Sequence, residues 1–511
     1  IAGERSTESR YLEALKRSWA ILSTIDGPAN SFWTGSGRPT PQAQGGAQFV
    51  GRVALIKPDH EILDGASEFY IGESHSKFDG VQVYSWAADI ARTFFRGTGD
   101  YYLCDDVAAT RSFTHRLGQI ADLVDAVRHP SAPPSPFKKR SLTVPKLPGG
   151  QSISFRKDKS TKVSTDSEDS APAVEPPLPT APATPASQAV GRPIEVRAEP
   201  ILRAVLEAPR TESLAPVLAT LQPDQYELVT IPAMESTIIE GQPGSGKTIV
   251  ASHRAAYLVH PDTSADRTLD GKVLLVGPTA GYSKHVRGVI NKLATQQDRI
   301  IVLSLDELLL RLRGSTVTPH GPASEIWQDA SADLGRAVRD AIARGRETRR
   351  DLNATQVYES FLAESWAEHD PEMRQYLSKL PLLRIALGRR RFVPLLAYIK
   401  VALGIPEDLR GIEHIIVDEA QDVTGLEWTI LEALNEANQW TILGDLNQRR
   451  SDHTLSSWGH IIDLAKPASE AQVQSLKRCY RSTQPILRYA NRLLSRKHRD
   501  VDAFRVEGPE P

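Results

Sequence analysis

Residues 236–248 read STIIEGQPGSGKT, an apolar stretch that runs straight into GxxxxGKT. No other feature of the chain narrows its fold so far. A strand that delivers a Gly-rich turn ahead of a helix N-terminus presents backbone N–H groups to phosphate, and ligands held this way sit outside the carboxyl ends of a parallel sheet. Gly241, Gly244, Ser245 and Gly246 would shape the anion nest, Lys247 would reach the β- and γ-phosphates, and Thr248 would ligate Mg²⁺. The IVASHRAAYLV that follows supplies the expected helix.

Two further apolar strands end in polar groups. HIIVDEAQD, residues 414–422, places Asp418 where a metal-side acid is needed and Glu419 where a base could polarise the attacking water. WTILGDLNQ, residues 440–448, places Gln448 to sense the γ-phosphate. A solvated acidic turn is the competing reading of DEAQD alone. Three phosphate-type strand ends in one order are not explained that way. The reaction they point to is ATP hydrolysis, in which positioning and charge stabilisation do most of the work.

The set GQPGSGKT, DEAQD, GDLNQ and CYRST (Cys479 to Thr483) resembles the ATPase core of superfamily 1 helicases of the UvrD/Rep type. Within that group it is most similar to the HelD-type, helicase IV-like branch, some of whose members act on RNA polymerase. LATLQPDQYELV (Leu218 to Val229) resembles that branch's segment ahead of the phosphate loop, VLLVGPTAGYSKHVRGVI its next strand and helix, and SLKRCYRSTQPILRYANRLL its fourth motif. FVGRV, FYIGES and VYSWAADIARTFF, between Phe49 and Phe95, resemble its N-terminal preamble, with Ser85-Trp86-Ala87 where Asp-Trp-Arg is more usual. The resemblance covers most of residues 45–105 and 213–511. It implies that Gln225 reads the adenine, that Arg481 approaches the γ-phosphate from a second domain, that Gln448 links nucleotide state to domain motion, and that Pro278-Thr279 touches a nucleic-acid backbone. It also implies two activities: a helicase or translocase moving 3′–5′ on single-stranded DNA or other nucleic acid, or a HelD-like ATPase that remodels RNA polymerase. A P-loop kinase or transporter ATPase would not account for all four motifs.

The net charge of −2 over 511 residues provides no global basic field, so a nucleic-acid surface must be local. Lys138-Lys139-Arg140, Arg389-Arg390-Arg391 and Arg496-Lys497-His498-Arg499 are candidates, though short basic runs are common on solvated faces. Two cysteines, Cys104 and Cys479, lack metal-ligand spacing and suit a reducing cytoplasm. No apolar run reaches membrane-spanning length.

Between residues 130 and 200 lie 14 of the 35 prolines and just two aromatics, Phe137 and Phe155, too little apolar surface to offset the entropy of ordering. The organisation expected is therefore an α/β fold: a P-loop RecA-like parallel sheet with a helical insertion, preceded by a small α+β N-terminal domain and a disordered linker. Residues 1–129 form the N-terminal α+β region, 130–200 the linker, 201–470 the ATP-binding domain with its helical insertion at about 322–404, and 471–511 the start of a second RecA-like domain. The pattern in residues 4–22 predicts an amphipathic helix, strands are expected at 48–56 and 68–86, and a helix near 111–128. Trp327, Tyr358, Phe361 and Trp366 are expected in the insertion's core. The chain lacks an initiator methionine and stops soon after CYRST, which leads to the expectation of an incomplete motor in which Arg481 has no packed platform: one that binds Mg·ATP, hydrolyses it slowly and does not unwind a duplex.

Overall fold

Six parallel strands order the centre of the molecule. In chain order the strands are β1 (Phe49–Asp59), β2 (Ala66–Gly72), β3 (Ser76–Phe78), β4 (Val81–Ser85), β5 (Val107–Arg116), β6 (Gln119–Val127), β7 (Thr237–Gly241), β8 (Lys272–Gly277), β9 (Ile300–Ser304), β10 (Ile412–Val417), β11 (Gln439–Gly444), β12 (Gln472–Leu476), β13 (Arg478–Thr483) and β14 (Asp502–Arg505). The central sheet runs β12-β7-β11-β10-β8-β9 with every pair parallel. The computed structural model describes residues 1–23, 48–96, 101–116, 118–132, 136–137, 196–207, 217–294, 296–321, 332–349, 351–363, 371–451, 454–492 and 502–507. Residues 1–139 and 196–511 belong to one compact unit, to which the following description applies. The second unit, 140–195, lies outside the described residues, as does most of the expected linker.

A parallel sheet must be covered on both faces, and its strands read as continuous apolar runs. One face packs on helices Leu305–Arg313, Ala332–Thr348, Ala354–Ala363, Val393–Leu403, Gly425–Leu434 and Trp458–Ala465. Several of these belong to the expected helical insertion. Tyr358 and Phe361 are buried there as expected, while Trp327 and Trp366 lie outside the described residues. Capping is local and legible. Ser304 and Glu307 form a capping box at the start of Leu305–Arg313, Gly314 ends that helix in the left-handed region, and Thr424 and Glu427 cap Gly425–Leu434.

The other face carries helices Lys247–Leu258 and Ala280–Leu293 together with the N-terminal region. That region is a six-strand mixed sheet, β3-β4-β2-β1-β5-β6. Its Trp86, Phe94 and Phe95 share one apolar cluster with Tyr226, Val250, Tyr257 and Val286 of the ATPase part. The helix Ala2–Ser23 lies on the far side of the sheet, with Tyr11 and Leu15 buried against Phe49, Tyr70, Phe113 and Ile120.

The helix expected near 111–128 is absent; the segment forms β5 and β6, paired antiparallel from Ala109↔Val127 to Arg116↔Gln119. The apolar spacing of Ile120, Leu123, Val124 and Val127 satisfies a helical period. The strands form instead because Gly118 turns the chain at φ +76° and β1 offers β5 a ladder for its backbone groups. Among the described residues no helix is long and apolar enough to cross a membrane.

Candidate nucleotide-binding site

The loop after β7 can close on itself because two of its glycines adopt left-handed backbone, Gly244 at φ +81° and Gly246 at φ +93°. Side chains would not fit there in any case. A Cβ on Gly246 would stand 2.3 Å from Gln225 Nε2, and one on Gly244 would stand 2.5 Å from Arg481 Cβ. Gly246 is the N-cap of Lys247–Leu258, so the first free N–H groups of that helix open into the loop. Lys247 is buried, and its Nζ donates to the Gly241 carbonyl at 2.7 Å. The Ser245 hydroxyl is buried in the loop without a hydrogen-bond partner, as expected of a cradle shaped for an anion.

Parallel register brings the second strand end alongside. The Asp418 N–H donates to the Val276 carbonyl at 2.9 Å, which continues the β10–β8 ladder beyond the strand. Thr248 Oγ1 donates to Asp418 Oδ2 at 2.6 Å, and the Glu419 N–H donates to Asp418 Oδ1 at 3.0 Å. Burial pushes the Asp418 carboxyl above the usual carboxylate range; the Thr248 hydroxyl opposes this, the Glu419 charge adds to it, and Tyr282 and Lys247 oppose it. Glu419 itself adopts φ +56°, an uncommon conformation for a residue with a side chain, and thereby turns out of the strand.

The third strand end is wired to the second. Gln421 Nε2 donates to Glu419 Oε2 at 2.7 Å, and its Oε1 accepts from the Asp445 N–H at 3.0 Å. Gln448 Nε2 donates to Asp445 Oδ2 at 2.7 Å. Glu419 and Gln448 are therefore linked through Gln421 and Asp445, two residues to which the sequence reading gave no role. Gln421 stands inside the DEAQD motif, so a signal for it existed; for Asp445 it was the polar end of β11.

Each end of the Gln225 amide is bonded to protein: its Oε1 accepts from the Gln222 N–H and its Nε2 donates to the Ser245 carbonyl, both at 3.2 Å. Its amide thus braces the phosphate loop, beside a cavity of about 630 Å³. Gln222, Gln225, Gly244, Gly246, Tyr480 and Arg481 are among the residues that line this space. Arg481 reaches it because β13 is pinned to the loop. The Tyr480 N–H donates to the Gly244 carbonyl at 2.9 Å and Cys479 Sγ to the Pro243 carbonyl at 3.1 Å. The expectation that Arg481 lacks a packed platform is not met, since Tyr480 packs with Leu202 and Phe504, and Cys479 with Leu487 and Ala503.

The donor set fits Mg²⁺. A hydroxyl and a carboxylate converge at the loop mouth, and among the described residues no group of three or more His, Cys, Asp or Glu side chains forms a metal cage. Mg²⁺ in such sites is held by one or two protein oxygens with phosphate and water completing the shell. Elsewhere, Thr279 is exposed at the start of Ala280–Leu293, and of the basic runs only 389–391 falls within the described residues. There Arg390 pairs with Asp306 and Arg391 lies over Phe392.

Parts of the chain are similar to known proteins. Residues 225–453 match the AAA_19 family model, described as an AAA domain. The chain is 25% identical over 317 residues to the ATP-dependent DNA helicase UvrD2 of Mycobacterium tuberculosis H37Rv, covering 55% of this chain and 44% of that protein. The UvrD2 of Mycobacterium bovis matches equally, and the ATP-dependent DNA helicase srs2 of Schizosaccharomyces pombe is 24% identical over 322 residues, covering 56% of this chain and 36% of its own length. The chain thus spans less than half the length of these relatives. Residues 225–453 are thus similar to an AAA domain, and over about half its length the chain is similar to ATP-dependent DNA helicases.

Proposed function

We propose that this chain is the ATP-hydrolysing core of a superfamily 1 DNA helicase or translocase, working in the cytoplasm and moving 3′–5′ on single-stranded DNA. The observation that carries the reading is the 2.6 Å bond from Thr248 to Asp418, which joins phosphate loop and second strand end with Glu419 beside them and Arg481 across the loop. Lys247 would exchange the Gly241 carbonyl for phosphate oxygens. Glu419, held by Gln421, would orient the attacking water, while Gln448 reports the γ-phosphate through Asp445. Thr248 and Asp418 would hold Mg²⁺, which when bound neutralises the β- and γ-oxygens. The names of the relatives, both DNA helicases, support single-stranded DNA as the track. The test is ATP hydrolysis with and without a single-stranded oligonucleotide, in wild type and Glu419→Gln. Stimulated turnover that Glu419→Gln abolishes is expected; turnover unchanged in that variant would overturn the reading.

A second reading is a HelD-like ATPase that binds and remodels RNA polymerase. It is favoured by the packing of the 49–95 segment, one part of that likeness, onto the ATPase core through Trp86, Phe94 and Phe95. Co-purification with RNA polymerase, without stimulation by DNA, would select it.

A further inference from the structure

The first turn of Ala280–Leu293 inserts a tyrosine beside the metal-side carboxylate. Gly277 ends β8 next to β10, and the Tyr282 ring lies so close over it that a Cβ on Gly277 would fall 2.0 Å from the ring. The turn is fixed at its base, since the Tyr282 N–H donates to Thr279 Oγ1 at 3.2 Å. The ring is thereby directed inward, and its buried hydroxyl faces the carboxylates of Asp418 and Glu419, with Asp418 within hydrogen-bond reach. Asp418 already accepts from Thr248 and from the Glu419 N–H, so a third donor would leave its carboxylate a single orientation.

We propose that Tyr282 is a positioning residue for the metal site: its hydroxyl donates to Asp418 when Mg²⁺ and nucleotide occupy the loop, and holds that carboxylate toward the metal's water shell. The proposal rests on the nucleotide-site reading above. Groups in this outer position govern metal affinity more than nucleotide affinity, because they orient a ligand and do not touch phosphate.

The experiment uses the full 511-residue chain and a fluorescent ATP analogue, with Mg²⁺ titrated at fixed nucleotide, for wild type, Tyr282→Phe, Tyr282→Ala and Lys247→Ala. Phenylalanine keeps the ring over Gly277, and an unchanged melting temperature would verify that it folds. In Tyr282→Phe the Mg²⁺ midpoint should rise roughly ten-fold while nucleotide affinity at saturating Mg²⁺ stays as in wild type. A Tyr282→Phe midpoint equal to wild type overturns the proposal, and a shift confined to Tyr282→Ala would assign the residue to packing alone. Lys247→Ala binding the analogue as wild type does would instead sink the nucleotide-site reading beneath it.

Discussion

At the residue scale, the site is a set of polar groups held in reserve by one another. Lys247 gives its charge to a strand carbonyl, Thr248 its proton to Asp418, and Gln448 its amide to Asp445. Each exchange is with a partner that phosphate or metal would replace. Lys247→Ala should therefore weaken ATP binding at least about ten-fold, the worth of a hydrogen bond to a charged group, in an equilibrium titration. Glu419→Gln touches no phosphate contact and should bind ATP as wild type does, while its single-turnover hydrolysis falls by about two orders of magnitude or more. Equal losses of binding and hydrolysis in Glu419→Gln would place the residue among the binding groups.

At the element scale, the pinning of β13 to the phosphate loop matters most. Tyr480 and Cys479 hold the Pro243-Gly244 carbonyls, so the strand that bears Arg481 follows the loop's conformation. Gly244→Ala tests this. The new methyl would meet Arg481 Cβ at 2.5 Å and the left-handed backbone would itself cost about 1–2 kcal/mol, so either the loop or β13 must yield. Lower melting temperature together with lost nucleotide affinity is expected. Wild-type values of both would show that loop and strand are independent.

For the whole molecule, the N-terminal sheet and the ATPase sheet share an apolar cluster centred on Trp86, Phe95, Tyr226 and Tyr257. Trp86 is fully buried there, with His253 and His260 edge-on to its ring. Trp86→Ala should cost about 3–5 kcal/mol in denaturant unfolding, and fluorescence and circular dichroism should report one coincident transition for both sheets. Separate transitions would show that the shared cluster does not couple them. Beside this junction, burial pushes the Glu73 carboxyl up to about 8; the Gln48 N–H opposes that and the Glu8 charge adds to it. Between the ordinary carboxylate range and pH 8 the folded chain then holds a proton that the unfolded chain has released, so the residue's contribution falls as pH rises. Glu73→Gln should melt progressively higher relative to wild type from pH 5 to pH 8. A difference independent of pH would contradict the raised value.

What the sequence determined by itself was whatever is encoded between near neighbours. The phosphate loop, the two carboxylates after β10 and the strand–helix alternation are each set by residues within about ten positions of one another, where backbone preference and hydrophobic period suffice. Tertiary structure decided the rest. Whether 111–128 became helix or hairpin depended on the ladder that β1 offered to β5. Gln421 met Asp445 across 24 residues, and Cys479 met Pro243 across 236. Arg254, wholly buried with no signal in its local sequence, donates to the Ile231 carbonyl at 2.6 Å and to Thr441 Oγ1 at 2.7 Å, which fastens the phosphate-loop helix to the chain before β7 and to β11. Such contacts follow from which strands lie side by side, and that is set by burial of the whole sheet and not by any one segment.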